Sequence, residues 1–510
     1  MVEQPRGRAR VRWHELLAGL DVVERVNDAD VEVAFITEDS RRVVAGTCFV
    51  CRPGARFDGH DHAAGAVADG AVALLVERTL PLAVPQARVA SVPGALGPAA
   101  ARLYGDPSRA MRCLGITGTA GKSTTAALLE AIARASGDHT GLIGNDGVFV
   151  DGVARAVEKW AGTNMPQADQ LQYLLAQMRD EGVGTVAMEV TSRALDFGRV
   201  DATWFAAACF TNLSHEHLDD HGSLEAYFQA KLTLFDPARV AAVATNVGDP
   251  AGVRVRDHAL GHDLDVWTYA VDDARADIGA DDILLGNHGT ELTIVDRRSG
   301  TDTRVRSRLI GGFNVENLLA AAATARAAGF GMDAVEAGIP SVAVRGRAER
   351  VDAGQPFTLL VDYAHAPGEL DAVLAAARTL AGANEHGTGP GKVIVVFGCG
   401  GDRDPSKRPL MGAAAGRGSD LAVLTSDNPR SEDPQRIADA VLPGLERGPE
   451  VVVELDRRAA IRHALRTAAA GDVVVIAGKG PETGQTIGGR TLPFDDRDVA
   501  REELGALGWS

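Results

Sequence analysis

Residues 111–125 read MRCLGITGTAGKSTT, an apolar stretch that breaks into glycines and then into a helix-forming segment. This order constrains the fold more than any other feature of the chain. A buried strand that turns sharply and continues as the helix KSTTAALLEAIARASG belongs at the carboxyl edge of a mostly parallel α/β sheet. Backbone N–H groups at such a helix start face phosphates, and the helix dipole favours their charge. Lys122 supplies a point cation, and the Ser123 hydroxyl can bind Mg²⁺. The spacing departs from the common phosphate loop G-x-x-x-x-G-K-[ST]: the position of its first glycine is Ile116, and glycines stand instead at Gly115, Gly118 and Gly121. A plain tight turn with a solvated lysine is the simpler alternative. The coincidence of strand, Gly121-Lys122-Ser123 and helix argues against it.

A chain of 510 residues exceeds one core, so roughly two to four domains are expected. Its formal charge of -17 leaves no basic excess to neutralise nucleic-acid phosphates, which excludes a general nucleic-acid binder but not a small polyanionic ligand. Cys48 and Cys51 form one C-x-x-C in a strand-like segment, where that spacing points the side chains to opposite faces; buried free thiols of a reducing cytosol are expected, not a zinc or redox pair. MVEQPRGRARVRWHELL lacks an apolar leader core and no long apolar run follows, so a cytoplasmic protein without membrane spans is expected.

Short strands and turns occupy residues 1–106. From Met111 strands such as GTVAMEV, FAAACFTNL and VAAVATNV alternate with helical stretches, and residues 271–308 read as a small hairpin region. A new strand–helix series begins after VRGRAERV with FTLLVDYAHAP, KVIVVFGCGG, LAVLTSDNP and DVVVIAGKG, a second α/β unit. GANEHGTGPG within it reads as a surface loop.

Three further stretches carry chemistry. Glu189 ends the apolar strand of AMEV, where a doubly wound sheet presents ligands. FTNLSHEHLDDHG runs from another strand into His215, His217 and His221 with Asp219 and Asp220, which alone could also be a hydrolase metal site or a polar loop. AYFQAKLTLF holds Lys231 in an apolar helical stretch, where a snorkelling lysine is the bland reading.

In this order the stretches resemble the Mur ligases. GITGTAGKSTT, MEV, TNLSHEHLDDHG, EAYFQAKLTLF, FNVENLLAA, GRAERV, VDYAHAP, FGCGGDRDPSKRPLMG, SDNPRSEDP and AGKGPETGQ look like the family's landmarks, and EDSRRVVAGTCFVCRPGARFDGHDH extends the match to the N-terminal part. The family's loop is G-x-x-G-x-x-G-K-[ST], which accounts for the glycine spacing. The resemblance is strongest to the branch that adds the third amino acid to UDP-N-acetylmuramoyl-L-alanyl-D-glutamate in peptidoglycan synthesis, a step of cell-wall biogenesis.

The resemblance implies an α/β chain of three domains: a small N-terminal UDP-sugar domain (1–106), a central phosphate-loop mononucleotide-binding domain (107–339) and a C-terminal Rossmann-like domain that binds the amino acid (340–510). It implies ATP-dependent amide formation through an acyl phosphate on the acceptor carboxylate. ATP would lie on Gly118, Thr119, Ala120, Gly121, Lys122, Ser123 and Thr124, with Asn314 facing adenine and Arg347 and Asp362 closing from the third domain. Two Mg²⁺ ions are implied, one on Ser123 and Glu189 and one served by His217, with Lys231 carrying a carbamate formed from CO₂. Lys122, Glu189, His217 and Lys231 would be the catalytic set. Arg403, Asp427, Asn428, Pro429, Arg430, Gly478 and Glu482 resemble the pattern that selects diaminopimelate over lysine, with Arg430 and Asn428 suited to the distal carboxylate. Ser40, Asn164, Met165, Thr191 and Arg199 fall on the acceptor side. Small-molecule substrates and a monomer are expected.

Four departures stand out. Ala120 replaces the loop's usual Asn; NMP (Asn164 to Pro166) replaces Thr-Thr-Pro; TSRALDFGR brings Arg193 and Phe197 in place of a His and a Gln; and GKGPE has Pro481 for His, followed by Gly484 where an aromatic is common. Two of these lie on the acceptor side and predict a more apolar pocket there. A paralogue acting on another carboxylate therefore stays open beside the muramyl-peptide reading. A non-catalytic nucleotide binder and a metal-dependent hydrolase fit less of the chain.

Overall fold

The computed structural model describes residues 10–54, 57–157, 165–214, 221–382, 390–445 and 448–509. Asn164, His215, His217, Asp219, Asp220 and most of the GANEHGTGPG stretch lie outside the described residues. Three sheets organise the chain. The first, N-terminal, runs in the order Val22–Val26, Gln86–Val89, Ala71–Val76, Thr47–Val50, Phe35–Thr37, parallel except for the first strand. Cys48 packs into the core on one of its faces and Cys51 into the cluster on the other, as their spacing predicts.

The second sheet has 11 strands. Its parallel part runs Thr140–Gly144, Thr185–Glu189, Arg112–Thr117, Phe205–Phe210, Val240–Asn246, Asp265–Tyr269. Residues alternate between two cores along each strand: Leu114 and Ile116 face one, Cys113 the other; Ala187 faces the first, Val186 and Met188 the second. Burial on both faces is why these strands read as continuous apolar runs. The 271–308 region forms three antiparallel strands, Ile278–Gly286, Gly289–Asp296 and Thr301–Ser307, which extend this sheet. Because Arg112–Thr117 comes first in the parallel series yet lies between Thr185–Glu189 and Phe205–Phe210, its carboxyl end opens at a topological switch point.

The third sheet, residues Glu349–Arg350 to Val473–Ala477, has the order Glu349–Arg350, Thr358–Asp362, Val473–Ala477, Val393–Phe397, Leu421–Leu424, Glu450–Val453. All neighbours are parallel except the two-residue edge. Val393, Val395 and Phe397 face one core and Ile394 and Val396 the other, so this unit too is wound on both sides. Val342 and Val344 still pack on the central core, whereas Ala348 belongs to the third unit's core. Among the described residues no helix is long and apolar enough to cross a membrane.

Candidate active site

Each glycine of the loop has its own physical reason. A Cβ on Gly115 would stand 2.9 Å from the Phe205 ring. Gly118 has φ +150° and a Cβ there would fall 1.8 Å from Thr211 Oγ1; Gly121 has φ +84° and would meet Asn317 Oδ1 at 2.3 Å. The three-residue spacing is thus a packing requirement on strand, turn and helix start. The helix Lys122–Ala135 then begins directly, with Ser123 and Thr124 buried in its first turn.

The end of the neighbouring strand clamps the turn. Thr119 N donates to Asn212 O (2.9 Å), Ala120 N to Asn212 Oδ1 (2.9 Å), Thr211 Oγ1 to Ala120 O (2.7 Å), and Ser214 N to Thr119 Oγ1 (3.0 Å). Thr211 and Asn212 carry no label in sequence reasoning, although they open the TNLSHEH stretch that drew notice for its histidines. Ala120 is held through its backbone alone. Lys122 Nζ donates to Gly118 O (3.0 Å) and Thr119 O (2.5 Å), so its ammonium lies over the loop.

Glu189 is buried at the end of its strand beside this turn. Its Oε1 accepts from Asn145 N (3.1 Å), and a Cβ on Gly144 would stand 2.3 Å from the same oxygen. Its Oε2 is buried with no hydrogen-bond partner among the described residues. Ser123, Glu189 and Asp146 line one cleft of about 310 Å³ with Arg345. Asp146, unremarked in the sequence, stands at the rim: solvent reaches it, yet the surrounding walls push its carboxyl above the usual range, against the pull of Arg347.

Lys231 does not snorkel. It is 1% exposed, its Nζ donates to Gly118 O (2.7 Å), and it stands 4.3 Å from the centre of the Tyr227 ring. The bland reading fails because the helix Leu224–Leu232 lays this face against the loop. His221 is engaged structurally, its Nε2 2.9 Å from Ser192 Oγ and its Nδ1 3.2 Å from Asp196 Oδ2.

Arg347 crosses from the third unit and donates to Ser123 Oγ (3.2 Å), with Tyr363 4.6 Å beneath its guanidinium. Burial opposes its charge, but Glu369, Asp362, Glu189 and Asp146 together hold its pKa above the usual value. Asp362 accepts from Ala348 N (2.6 Å) and Ala364 N (2.7 Å); burial raises its pKa and Arg347 counteracts this. Asn314 is buried near the start of the helix Phe313–Ala327, with Nδ2 donating to Ile310 O (2.8 Å) and Oδ1 accepting from Asn317 (2.8 Å).

The amino-acid set gathers at the carboxyl ends of the third sheet's strands. Asp427, Asn428 and Pro429 are buried and Arg430 is half-buried with φ +52°. Arg430 Nη1 donates to Gly401 O (2.5 Å), which turns its side chain toward the loop that carries the exposed Arg403. Gly478 has φ +113°, and a Cβ would approach Asp427 Oδ2 to 2.4 Å. Asn428 Nδ2 donates to Asp427 Oδ1 (3.0 Å) and Glu482 Oε2 (2.8 Å), and its Oδ1 accepts from Thr486 N (2.9 Å), which fixes the amide among the other residues of this set.

On the acceptor side, Thr191 Oγ1 caps the short helix Ser192–Asp196 by accepting from Ala194 N (3.2 Å). Met165 is buried in the core with Val190, Ala194 and Leu195. Ser40 is half-buried in the turn that opens with Asp39. Arg199 stands 5.6 Å from the exposed Phe197 ring, and burial first, then the like charges of Arg52 and Arg193, lower its pKa against Glu38. This region combines guanidinium groups with one apolar ring.

Three family models match the chain in order: Mur ligase family, catalytic domain, over residues 32–102; Mur ligase middle domain over 116–325; and Mur ligase, glutamate ligase domain, over 346–480. A UDP-N-acetylmuramoyl-L-alanyl-D-glutamate–2,6-diaminopimelate ligase of Geobacillus kaustophilus is 42% identical over 487 residues, 94% of this chain and 96% of its own. The protein of that name from Streptomyces coelicolor is 43% identical over 490 residues, 94% of this chain and 93% of its own. A solved structure of a ligase of the same name superposes with a TM-score of 0.69 at 30% identity, covering 98% of this chain and 100% of that one.

Proposed function

The chain belongs to the Mur ligase family, and from that premise we propose that it joins diaminopimelate to UDP-N-acetylmuramoyl-L-alanyl-D-glutamate with ATP. It is an ATP-dependent ligase acting on small molecules. The observation that carries the reading is the convergence of Lys122, Ser123, Glu189, Lys231 and Arg347 on one glycine turn at a sheet switch point.

In this reading residues 1–106 hold the UDP-sugar, 107–339 the nucleotide and 340–510 the amino acid. Gly118 to Thr124 cradle the phosphates, and the N–H groups of the helix start favour their charge. Asn314 faces the adenine through its helix turn, and Asp362 and Arg347 approach from the third unit. Ser123 and the unpartnered Glu189 Oε2 suit one magnesium ion, and His217 with a carbamylated Lys231 a second. Bound there, the ions would neutralise charge where carboxylate and triphosphate meet. A carbamate on the buried Lys231 would place an anion against the loop, where the metal ions would offset its charge.

An oxygen of the acceptor carboxylate attacks the γ-phosphorus, ADP leaves, and the amine then attacks the acyl carbon. The tetrahedral adduct expels phosphate, which keeps that carboxylate oxygen, and the amine proton passes to base. Arg347 closes over the transferring group and keeps water from the acyl phosphate. Arg403, Asp427, Glu482, Gly478 and Pro429 frame the amino acid, with Arg430 and Asn428 toward its distal carboxylate. Ser40, Asn164, Met165, Thr191 and Arg199 border the acceptor. A monomer is the proposed working form. Acceptor labelled with oxygen-18 in its reacting carboxylate tests the chemistry: one labelled oxygen per turnover should appear in the released phosphate, and unlabelled phosphate would contradict the acyl-phosphate route.

A second reading has an observation of its own. Phe197 is 45% exposed beside Arg199, with Arg193 adding a second charge, so a different carboxylate acceptor sharing the same ATP chemistry is the alternative. Turnover with another carboxylate, and none with the muramyl dipeptide, would favour it.

A further inference from the structure

Lys479 is 0% exposed, yet it lies in the loop that carries the amino-acid residues Gly478 and Glu482. Positive φ on either side, +113° at Gly478 and +49° at Gly480, folds the backbone back so that this side chain runs inward. Its Nζ donates to Glu482 Oε2 (3.0 Å) and Gly484 O (2.6 Å), and approaches Asn428 Oδ1 at 3.5 Å. One ammonium therefore ties three segments together: the Asp427–Arg430 loop, its own loop, and the hairpin Gly484–Ile487/Arg490–Pro493. The hairpin in turn holds the first segment, through Thr486 N to Asn428 Oδ1 (2.9 Å) and Arg430 N to Thr486 O (2.9 Å).

The charges explain the need for it. Asn428 Nδ2 bridges two carboxylates, Asp427 and Glu482, which would repel each other without a cation. Lys479 offsets one of them, and the nearby Arg457 is itself paired with Asp496, so the group keeps a net single negative charge, suited to one ammonium. Glu482 uses Oε2 for both its bonds, and its Oε1 has no hydrogen bond among the described residues. The Glu482 side chain is 36% exposed, so its carboxylate is within reach of a molecule outside the protein.

We propose that Lys479 is a positioning residue: it fixes the Glu482 carboxylate so that Oε1 receives the distal ammonium of the incoming amino acid. This rests on the proposed function. Lys479→Met and Glu482→Gln, singly and together, test it, with KM for diaminopimelate, KM for ATP, kcat and thermal melting measured on each. Lys479→Met should raise KM for diaminopimelate about tenfold or more while KM for ATP stays within about twofold, and on the Glu482→Gln background it should add less than about threefold. Should the Met variant fail to fold, Lys479→Gln, which can still donate to Gly484 O, should show the same pattern. An unchanged KM for diaminopimelate in a folded Lys479 variant overturns the inference. So does an effect that multiplies in full with Glu482→Gln. Wild-type protein that does not turn over diaminopimelate overturns the proposed function instead, and the inference with it.

Discussion

At the scale of single residues, burial changes meanings that sequence leaves open. Lys231 reads as a surface lysine until the helix that bears it is laid on the phosphate loop, where its Nζ meets Gly118 O. Lys231→Ala should lower kcat by about a hundredfold or more, and short carboxylic acids should restore part of the rate by standing in for the carbamate anion. Steady-state assays with and without added acid check this; an unaffected rate would remove Lys231 from the catalytic set. Asn428 takes its remaining partners, Glu482 and Thr486, from 54 and 58 positions away, which no local motif displays. Asp146 was silent in the sequence for the same reason, because it acquires its surroundings only when Arg347 reaches it from another unit.

At the scale of elements, the loop and its strand were legible because glycine spacing, apolar run and helical period agree over a short window. What holds the loop was not legible, since Thr211 and Asn212 reach it from a strand more than ninety positions on. Gly118→Ala tests that packing. The added Cβ would strike Thr211 Oγ1 at a φ of +150°, so a loss of about 1–3 kcal/mol in stability is expected, together with loss of nucleotide binding. Chemical denaturation and fluorescent-nucleotide titration read the two effects, and a variant that binds nucleotide normally would contradict the geometry.

The helix Ala168–Asp180 joins the N-terminal and central units, and Asp169 in its first turn is buried there with Glu38, Arg42 and Thr37 around it. Burial first, then Glu38, pushes its carboxyl up to about 6 against Arg42. The folded chain therefore binds this proton more tightly than the unfolded chain, and stability falls as pH rises from about 4 to about 6, by about 3 kcal/mol for two pKa units. Asp169→Asn should raise the melting temperature at pH 7.5 and leave it nearly unchanged at pH 4. Equal shifts at both values would show that the carboxyl is not the cause.

At the scale of the whole molecule, the chain builds three α/β units, and the phosphate loop and the Asp427–Arg430 segment lie at the carboxyl ends of their sheets' strands. The units' contacts with one another were less legible, because they join residues far apart in sequence, such as Arg347 with Ser123. The altered acceptor residues divide once folded: Met165 joins the core, whereas Phe197 faces outward beside Arg199. The central claim concerns which two molecules this assembly joins. Purified protein given ATP, Mg²⁺, UDP-N-acetylmuramoyl-L-alanyl-D-glutamate and either diaminopimelate or lysine, with products resolved by mass, tests it most directly. A tripeptide product with one phosphate released per bond is expected, with at least about a hundredfold preference in kcat/KM for diaminopimelate. No product from the muramyl dipeptide, or equal use of lysine, would contradict it.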